Sequence, residues 1–404
     1  SSEEYRLCIL ENNPGGACAA IGYDDYPGTS QPFDFSGIQN LASYNAEQLL
    51  NDGFYRLEGK DDQAIANKNW SVDETVTTWY GQLNLDAEFG SVRMTGNIGI
   101  QYAQTDQSSD GFATYSGNPQ GDAITGGAKY GNFLPSLNLN FNVFEDQYLR
   151  VAVAEQLARP RMDAMRSSYN VSITNDLDPG VGVKYRCQGV NFTAPVWCGD
   201  GGNPEIKPWL ATAYDMSYEW YFTSDNDNKG YVSAAVFYKD LSTFIYYSNT
   251  IYDFANEPLP PPQPGDPTST IGILNQPNNG EGGYMRGYEL TASLPLDVLW
   301  SPLNGFGLLA TYASNDSNVN IPNPDGSPNN QPLQGLSEEV YNASIFWERF
   351  GWQVRYNYRY RSDYRGETRG FGADLSVIDI SAETVQDAQI QYTFGSGFAE
   401  NLTL

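Results

Sequence analysis

Residues 204–244 read PEIKPWLATAYDMSYEWYFTSDNDNKGYVSAAVFYKDLSTF, and on either side of a polar turn they alternate with a period of two. Tyr214, Met216, Tyr218, Trp220 and Phe222 fall on one face, while Ala213, Asp215, Ser217 and Glu219 fall on the other. After the Asp-, Asn- and Gly-rich turn at Thr223–Gly230, Val232, Ala234, Val236 and Tyr238 oppose Ser233, Ala235, Phe237 and Lys239. A period of two is the side-chain repeat of a β-strand, so the stretch predicts a long hairpin. A half-buried soluble sheet alternates too. What favours a bilayer is length: each arm keeps its pattern for about ten residues, the span of a tilted membrane strand, with aromatic residues concentrated toward the ends.

The same plan recurs along the chain. Trp79, Leu83 and Leu85 alternate with Tyr80, Gln82, Asn84 and Asp86; Leu137, Leu139 and Phe141 oppose Ser136, Asn138, Asn140 and Asn142. Leu149, Val151 and Val153 oppose Arg150 and Gln156, and further strands carry Tyr288 and Leu290, Leu308 and Tyr312, Ile345 and Trp347, Tyr356 and Tyr358, and Ile390 and Tyr392. Short turns at Glu88, Glu145, Asp225, Leu299, Phe350 and Gly395 alternate with long connections near 107–128, 159–208, 245–283, 314–338 and 362–380. Short turns on one rim and long loops on the other are the pattern of an outer-membrane barrel. A β-sandwich has no reason to segregate loop lengths in this way. Gly37–Leu50 offers a short helix.

Bulk properties fit. The 404 residues hold no compositional linker, and no apolar run is long enough for a membrane helix, so any span is a strand. Mean hydropathy is -0.48, as expected when one face of every strand is polar. The 49 acidic residues against 22 basic give a net charge of -27, which repels a phosphate backbone and speaks against nucleic acid as a partner. Absence of histidine removes Ser-His-Asp and Cys-His catalysis, and the carboxylates are scattered through loops, so the chain does not read as an enzyme. Ser224–Gly230 imitates a calcium loop, but Val236 stands where the bidentate glutamate belongs, and a solvated turn is the simpler reading. No metal or other cofactor is expected.

The four cysteines form two local pairs, Cys8 with Cys18 and Cys187 with Cys198, which predicts two disulfide-closed loops on an oxidising side of a membrane. The chain opens on SSEEYRLC without a signal peptide and stops at FAENLTL in a strand-like pattern, so it reads as cut at both ends.

Several segments resemble TonB-dependent outer-membrane receptors, in particular the branch common in Xanthomonas-like and Caulobacter-like bacteria. The carriers are NFLPSLNLNFNVFEDQYLRVAVAEQLARPRMDAM at 132–165, GNPEIKPWLATAYDMSYEWYF at 202–222, GYVSAAVFYKDLSTFIY at 230–246 and GYELTASLPLD at 287–297. The resemblance implies an all-β transmembrane antiparallel barrel of 22 strands around an N-terminal plug. On that reading residues 1–404 are one partial barrel domain with about half the strands, and the plug and final strands lie outside it. It further implies a Gram-negative outer membrane, energy coupling by the TonB-ExbB-ExbD system through the plug, a small-molecule or oligosaccharide substrate, and room for a surface lipoprotein partner.

Candidate substrate contacts are of two kinds. Arg355, Arg359 and Arg361, with Asn357, share the inward face of one strand, and Arg365 and Arg369 follow in the next loop. They suit an anionic or hydroxyl-rich ligand, or else pair with inward carboxylates such as Glu348 and Asp387 or with the plug. Loop aromatics Tyr169, Tyr185, Trp197, Tyr246, Tyr247, Tyr252 and Phe254 suit stacking on sugar rings or a chelator, or else pack the loops. The proline run at 257–267 stiffens its loop as polyproline II. The function expected is active uptake of a scarce nutrient; the branch resemblance implies an oligosaccharide, and the acidic charge disfavours a highly anionic ferric siderophore at the entrance. The alternatives are a receptor for a ferric siderophore or other metal chelate, a passive porin, and a secreted β-rich binding or adhesion protein.

Overall fold

The computed structural model describes residues 66–115, 121–174, 195–257, 263–322, 327–369 and 375–395, together with residues 5–9, 31–35, 38–43, 51, 55–59, 118–119, 259, 261 and 402–403. Near the start, β1 (Tyr5–Ile9), β2 (Gln31–Phe35), β3 (Ile38–Ser43) and β4 (Tyr55–Gly59) form two small antiparallel pairs, β1 with β4 and β2 with β3. The helix expected from Gly37 to Leu50 is therefore corrected over Ile38–Ser43. There the backbone groups pair with the neighbouring strand, and that pairing wins over a marginal helical periodicity.

From Ser71 the order is β5 (Ser71–Phe89), β6 (Val92–Gly111), β7 (Ala113–Tyr115), β8 (Asn118–Pro119), β9 (Ile124–Phe144), β10 (Gln147–Ala158), β11 (Tyr169–Thr174) and β12 (Val196–Gly201). It continues with β13 (Trp209–Thr223), β14 (Lys229–Asp253), β15 (Ile271–Glu281), β16 (Gly283–Pro295) and β17 (Phe306–Asn320). The last are β18 (Asn330–Gln331), β19 (Glu339–Arg349), β20 (Trp352–Arg361), β21 (Tyr364–Arg369), β22 (Leu375–Ile380) and β23 (Glu383–Tyr392).

An antiparallel meander runs through β5, β6, β9, β10, β13, β14, β16, β17, β19, β20 and β23. It belongs to a closed barrel-type sheet whose ring is completed by loop strands, and among the described residues no backbone register joins β23 to β5. The architecture is that of an all-β transmembrane barrel wall. Among the described residues no helix is long and apolar enough to cross a membrane, which says nothing against crossing by strands.

The register sorts the side chains as the alternation predicts. Phe141, Leu149, Tyr218, Ala234, Leu290 and Tyr312 stand in one row across six neighbouring strands. The adjacent row, on the opposite face, is Asn142, Tyr148, Glu219, Ser233, Thr291 and Thr311. Apolar residues on the first face stay open: Leu83 is 70% exposed, Trp79 54% and Ile390 69%. A sheet that leaves its apolar face uncovered while keeping polar residues on the other is inside-out for water and suited to lipid. The inner face carries the pairs that lipid would forbid, such as Arg150 donating to Glu219 at 2.9 and 3.2 Å.

The short rim is built from tight turns. Phe350 (φ 56°) and Gly351 (φ 82°) form a two-residue turn with both angles positive, the twist that lets Arg349 and Trp352 pair directly. On the same rim, Asp297 is 5% exposed and its Oδ2 accepts from Ser224 Oγ (2.7 Å), Asn226 Nδ2 (2.8 Å) and Asn228 Nδ2 (3.0 Å), tying the β13–β14 turn to the β16–β17 connection. The polar turn singled out as a failed calcium loop thus serves as a hydrogen-bond knot.

Much of what the sequence presents as long loop is strand. β14 runs on to Asp253 and pairs with β15 above the level where it pairs with β16, and Gly282 and Gly283, both at positive φ, make the bend between those two partners. The backbone groups of these connections need partners, and extending the ladder supplies them.

Candidate functional site

Above the wall, segments from three connections knit into one sheet. β7 runs parallel to β11, β11 antiparallel to β12, β12 parallel to β15, and β15 pairs with the upper part of β14. Its core is Val171, Trp197, Phe254 and Leu274, with Tyr115, Tyr169, Ile173, Tyr252 and Leu259 packed around it. A second cluster below it joins Leu241, Phe244 and Val319 to Trp209, Tyr246, Ile321 and Leu333. The loops are therefore a folded body with their own apolar burial.

The GNPEIKP stretch at 202–208 has a structural job here. Ile206 is fully buried, and buried Gln107 on β6 donates to Pro204 O (2.7 Å) and Ile206 O (2.9 Å) while accepting from the Tyr130 hydroxyl (3.0 Å). Asn203 N donates to Ala164 O at 2.8 Å, so residues 162–168 and 203–208 brace each other. They cover the upper inner face of β6, where Ala103, Thr105, Gln107 and Ser109 are all buried.

The predicted contact residues separate into groups. Trp197 (6% exposed) and Phe254 (1%) lie in the core of the loop sheet, so their rings pack the loops and are not presented to solvent. Tyr247 lies on β14 opposite Pro277 and is half-buried. Tyr185, Cys187 and Cys18 lie outside the described residues, as does the side chain of Cys8. Cys198 on β12 is buried and disulfide-bonded, while the pairings predicted for the four cysteines rest on residues beyond those described.

The arginines climb β20 along its inner face. Arg355 stands 5.3 Å over the Phe346 ring, with its Nη2 3.5 Å from Glu348. Arg361 donates to Ser337 Oγ and Gly335 O, both at 2.7 Å, and covers the Tyr364 ring at 3.7 Å. Arg365 reaches Gln331 and lies 3.5 Å from Asp379. Arg361 and Arg365 thus hold two connections together. Between these engaged neighbours, Arg359 makes no side-chain hydrogen bond or ion pair among the described residues, and it borders a recess of about 310 Å³. A larger trough of about 720 Å³ follows the inner face beside Asn138, Asn140, Arg150, Asp215 and Lys239.

Two features escape sequence reasoning. The β14–β15 hairpin carries an amide contact on each face: Asn275 Nδ2 donates to Asn249 Oδ1 at 2.7 Å on the face of Tyr247, and Asn278 Nδ2 donates to Ser248 Oγ at 3.0 Å on the other. The polar run Asn275–Asn279 was a signal for it, hidden because the stretch reads as loop. Half-buried Glu257 accepts from the hydroxyls of Tyr169 on β11 and Tyr252 on β14, anchoring the start of the proline run to the loop sheet, and burial pushes its carboxyl above the usual range. Among the described residues no cluster of ligating side chains is able to hold a metal ion.

The sequence matches the family profile described as TonB dependent receptor-like, beta-barrel, over residues 12–404. The chain belongs to that family. Three solved structures resemble this receptor barrel. They are the siderophore receptor PirA from Acinetobacter baumannii (11% identity, 80% of this chain, 49% of that one, TM-score 0.44), a point mutant of the ferric enterobactin receptor PfeA from Pseudomonas aeruginosa in complex with enterobactin (14%, 80%, 47%, 0.47), and the siderophore receptor PiuA from Acinetobacter baumannii (13%, 84%, 38%, 0.48). The receptor barrel chain spans less than half the length of each. Likeness at this level says nothing of what the chain carries. No curated protein matches significantly.

Proposed function

We propose that this chain is barrel wall and surface loops of an outer-membrane active transporter, driven by TonB-ExbB-ExbD acting through a plug, which performs no chemistry on its substrate. The carrying observation is the continuity of one sheet. Its outer face is apolar at bilayer length, its inner face is polar, and its strands rise without a break into a folded loop body. A passive porin shares the wall, and the family membership favours the gated receptor. The Xanthomonas- and Caulobacter-type branch rests on the quoted words alone.

The substrate we favour is an oligosaccharide. The support is the Asn249–Asn275 amide pair, which shares one face of the β14–β15 hairpin with Tyr247, since amides and an aromatic face match hydroxyls and the apolar face of a sugar ring. A ferric siderophore or other anionic chelate is the second reading, favoured by Arg359, which has no partner among the described residues. The test is uptake by cells carrying the full-length receptor, with and without proton-motive force, of a neutral trisaccharide and of an iron-loaded catecholate. Force-dependent uptake of the saccharide supports the first reading. Uptake of the chelate alone replaces it, and uptake indifferent to the force removes the receptor reading.

A further inference from the structure

The recess at Arg359 has a composition of its own. In the β17–β19–β20–β23 register, Thr311, Asn342 and Arg359 form one inward row, and Ser344, Asn357 and Asp387 form the row below it. All six border the same space of about 310 Å³, near the lower bound of about 300 Å³ for small-ligand sites. Asn342 Nδ2 donates to Thr311 Oγ1 (3.0 Å) and Asn357 Nδ2 to Asp387 Oδ1 (2.8 Å), which fixes both amides with their oxygens still free to accept.

Two groups are left over. Among the described residues Arg359 has neither ion pair nor hydrogen bond, while Arg355, Arg361 and Arg365 on either side are engaged. Ser344 Oγ is a buried oxygen without a hydrogen-bond partner. A free planar guanidinium takes a carboxylate through two parallel hydrogen bonds. Amide oxygens, a hydroxyl and a nearby carboxylate take sugar hydroxyls. Arg359 lies on β20 two residues below Arg361, the arginine that fastens the connections of the long-loop rim.

The geometry points to this recess as a subsite for an acidic sugar: a uronate ring whose carboxylate docks on Arg359 and whose hydroxyls meet Asn342, Ser344, Asn357 and Asp387. This rests on the oligosaccharide reading above and narrows it to carboxylate-bearing saccharides. The net charge of -27 does not oppose it, because in physiological salt a field decays over about 8 Å, whereas a docked carboxylate touches the guanidinium.

The test uses the purified full-length receptor and two trisaccharides of the same linkage, trigalacturonate and its carboxyl-reduced form, titrated calorimetrically. Wild type is expected to bind the acid form more tightly, with affinity falling as salt rises. Arg359→Ala is expected to weaken the acid form by about 10- to 100-fold, the loss of one charge-assisted bidentate contact, and to leave the reduced form unchanged. Arg359→Gln, of similar size, repeats the measurement should the alanine variant fold poorly. Equal binding of the two trimers by wild type, or an acid-form affinity that neither variant changes, overturns the subsite. So does a lower melting temperature in both variants with unchanged binding, since Arg359 then serves a carboxylate of the polypeptide itself. Force-dependent uptake is scored separately, so loss of uptake with acid-form binding intact counts against the transporter reading and not against this site.

Discussion

Met216 lies directly opposite Val236 in the β13–β14 register, and each side chain is 48% exposed on the same outer face. One step along, Ser217 faces Ala235 on the inner side. Lipid on one side and a polar interior on the other is the arrangement this requires. Val236→Arg should therefore destabilise the barrel by roughly 2 to 4 kcal/mol, whereas Ala235→Arg should cost much less. Reversible unfolding of the full receptor in lipid vesicles measures both, and equal costs would show that the faces are not distinct.

Gln107 holds the GNPEIKP segment by two carbonyls, at 2.7 and 2.9 Å, from a position 3% exposed. Gln107→Leu keeps the volume and strands both carbonyls, at a cost of about 1 to 3 kcal/mol for each group left unpaired. Faster hydrogen exchange confined to residues 203–208 and 162–168, with the lower wall unchanged, is the expected result.

Asp297 gives the short rim an acid limit. Burial alone would raise its carboxyl, but the donors Ser224, Asn226 and Asn228 outweigh burial and hold it below the ordinary aspartate value. A depressed carboxyl contributes stability that is present above the unfolded value, near 3.8, and is lost as pH falls through the folded one. The β13–β14 turn should loosen below about pH 4 in wild type. Asp297→Asn should loosen it at neutral pH and abolish that dependence, as read by exchange of the Ser224–Asn228 amides.

Gly351 occupies φ 82° beside Phe350, and a Cβ built there would stand 2.6 Å from Thr393 O. Gly351→Ala should cost about 1 kcal/mol or more from backbone strain and the clash together. A drop in melting temperature larger than that of Phe350→Ala, whose ring is 76% exposed, checks this.

The wall was legible because a period of two is unambiguous over ten residues: Trp220, Val236, Tyr356 and Ile390 share the outer face, and Glu219, Asn140, Arg355 and Gln389 the inner one. The loop body was not. Alternation breaks down where both faces of a strand meet protein, as at Trp197 on β12 and Phe254 just beyond β14, so these rings looked like exposed contact residues while serving as core. Nor does spacing reveal parallel pairing of β12 with β15, whose members lie far apart in sequence. The arginine ladder was visible as a pattern on β20. That Arg361 and Arg365 are engaged depends on Ser337, Gly335 and Gln331 from another connection, and no local reading of β20 contains them.

The most direct test of a membrane wall with two chemically opposite faces is spin-label accessibility in the full-length receptor reconstituted in vesicles, with single labels at Trp220, Val236, Tyr356 and Ile390 and at Asn140, Glu219, Arg355 and Gln389. The account predicts that the first four report high oxygen and low water-soluble-relaxant contact, and that the second four do not. Mixed accessibilities within either set would contradict it.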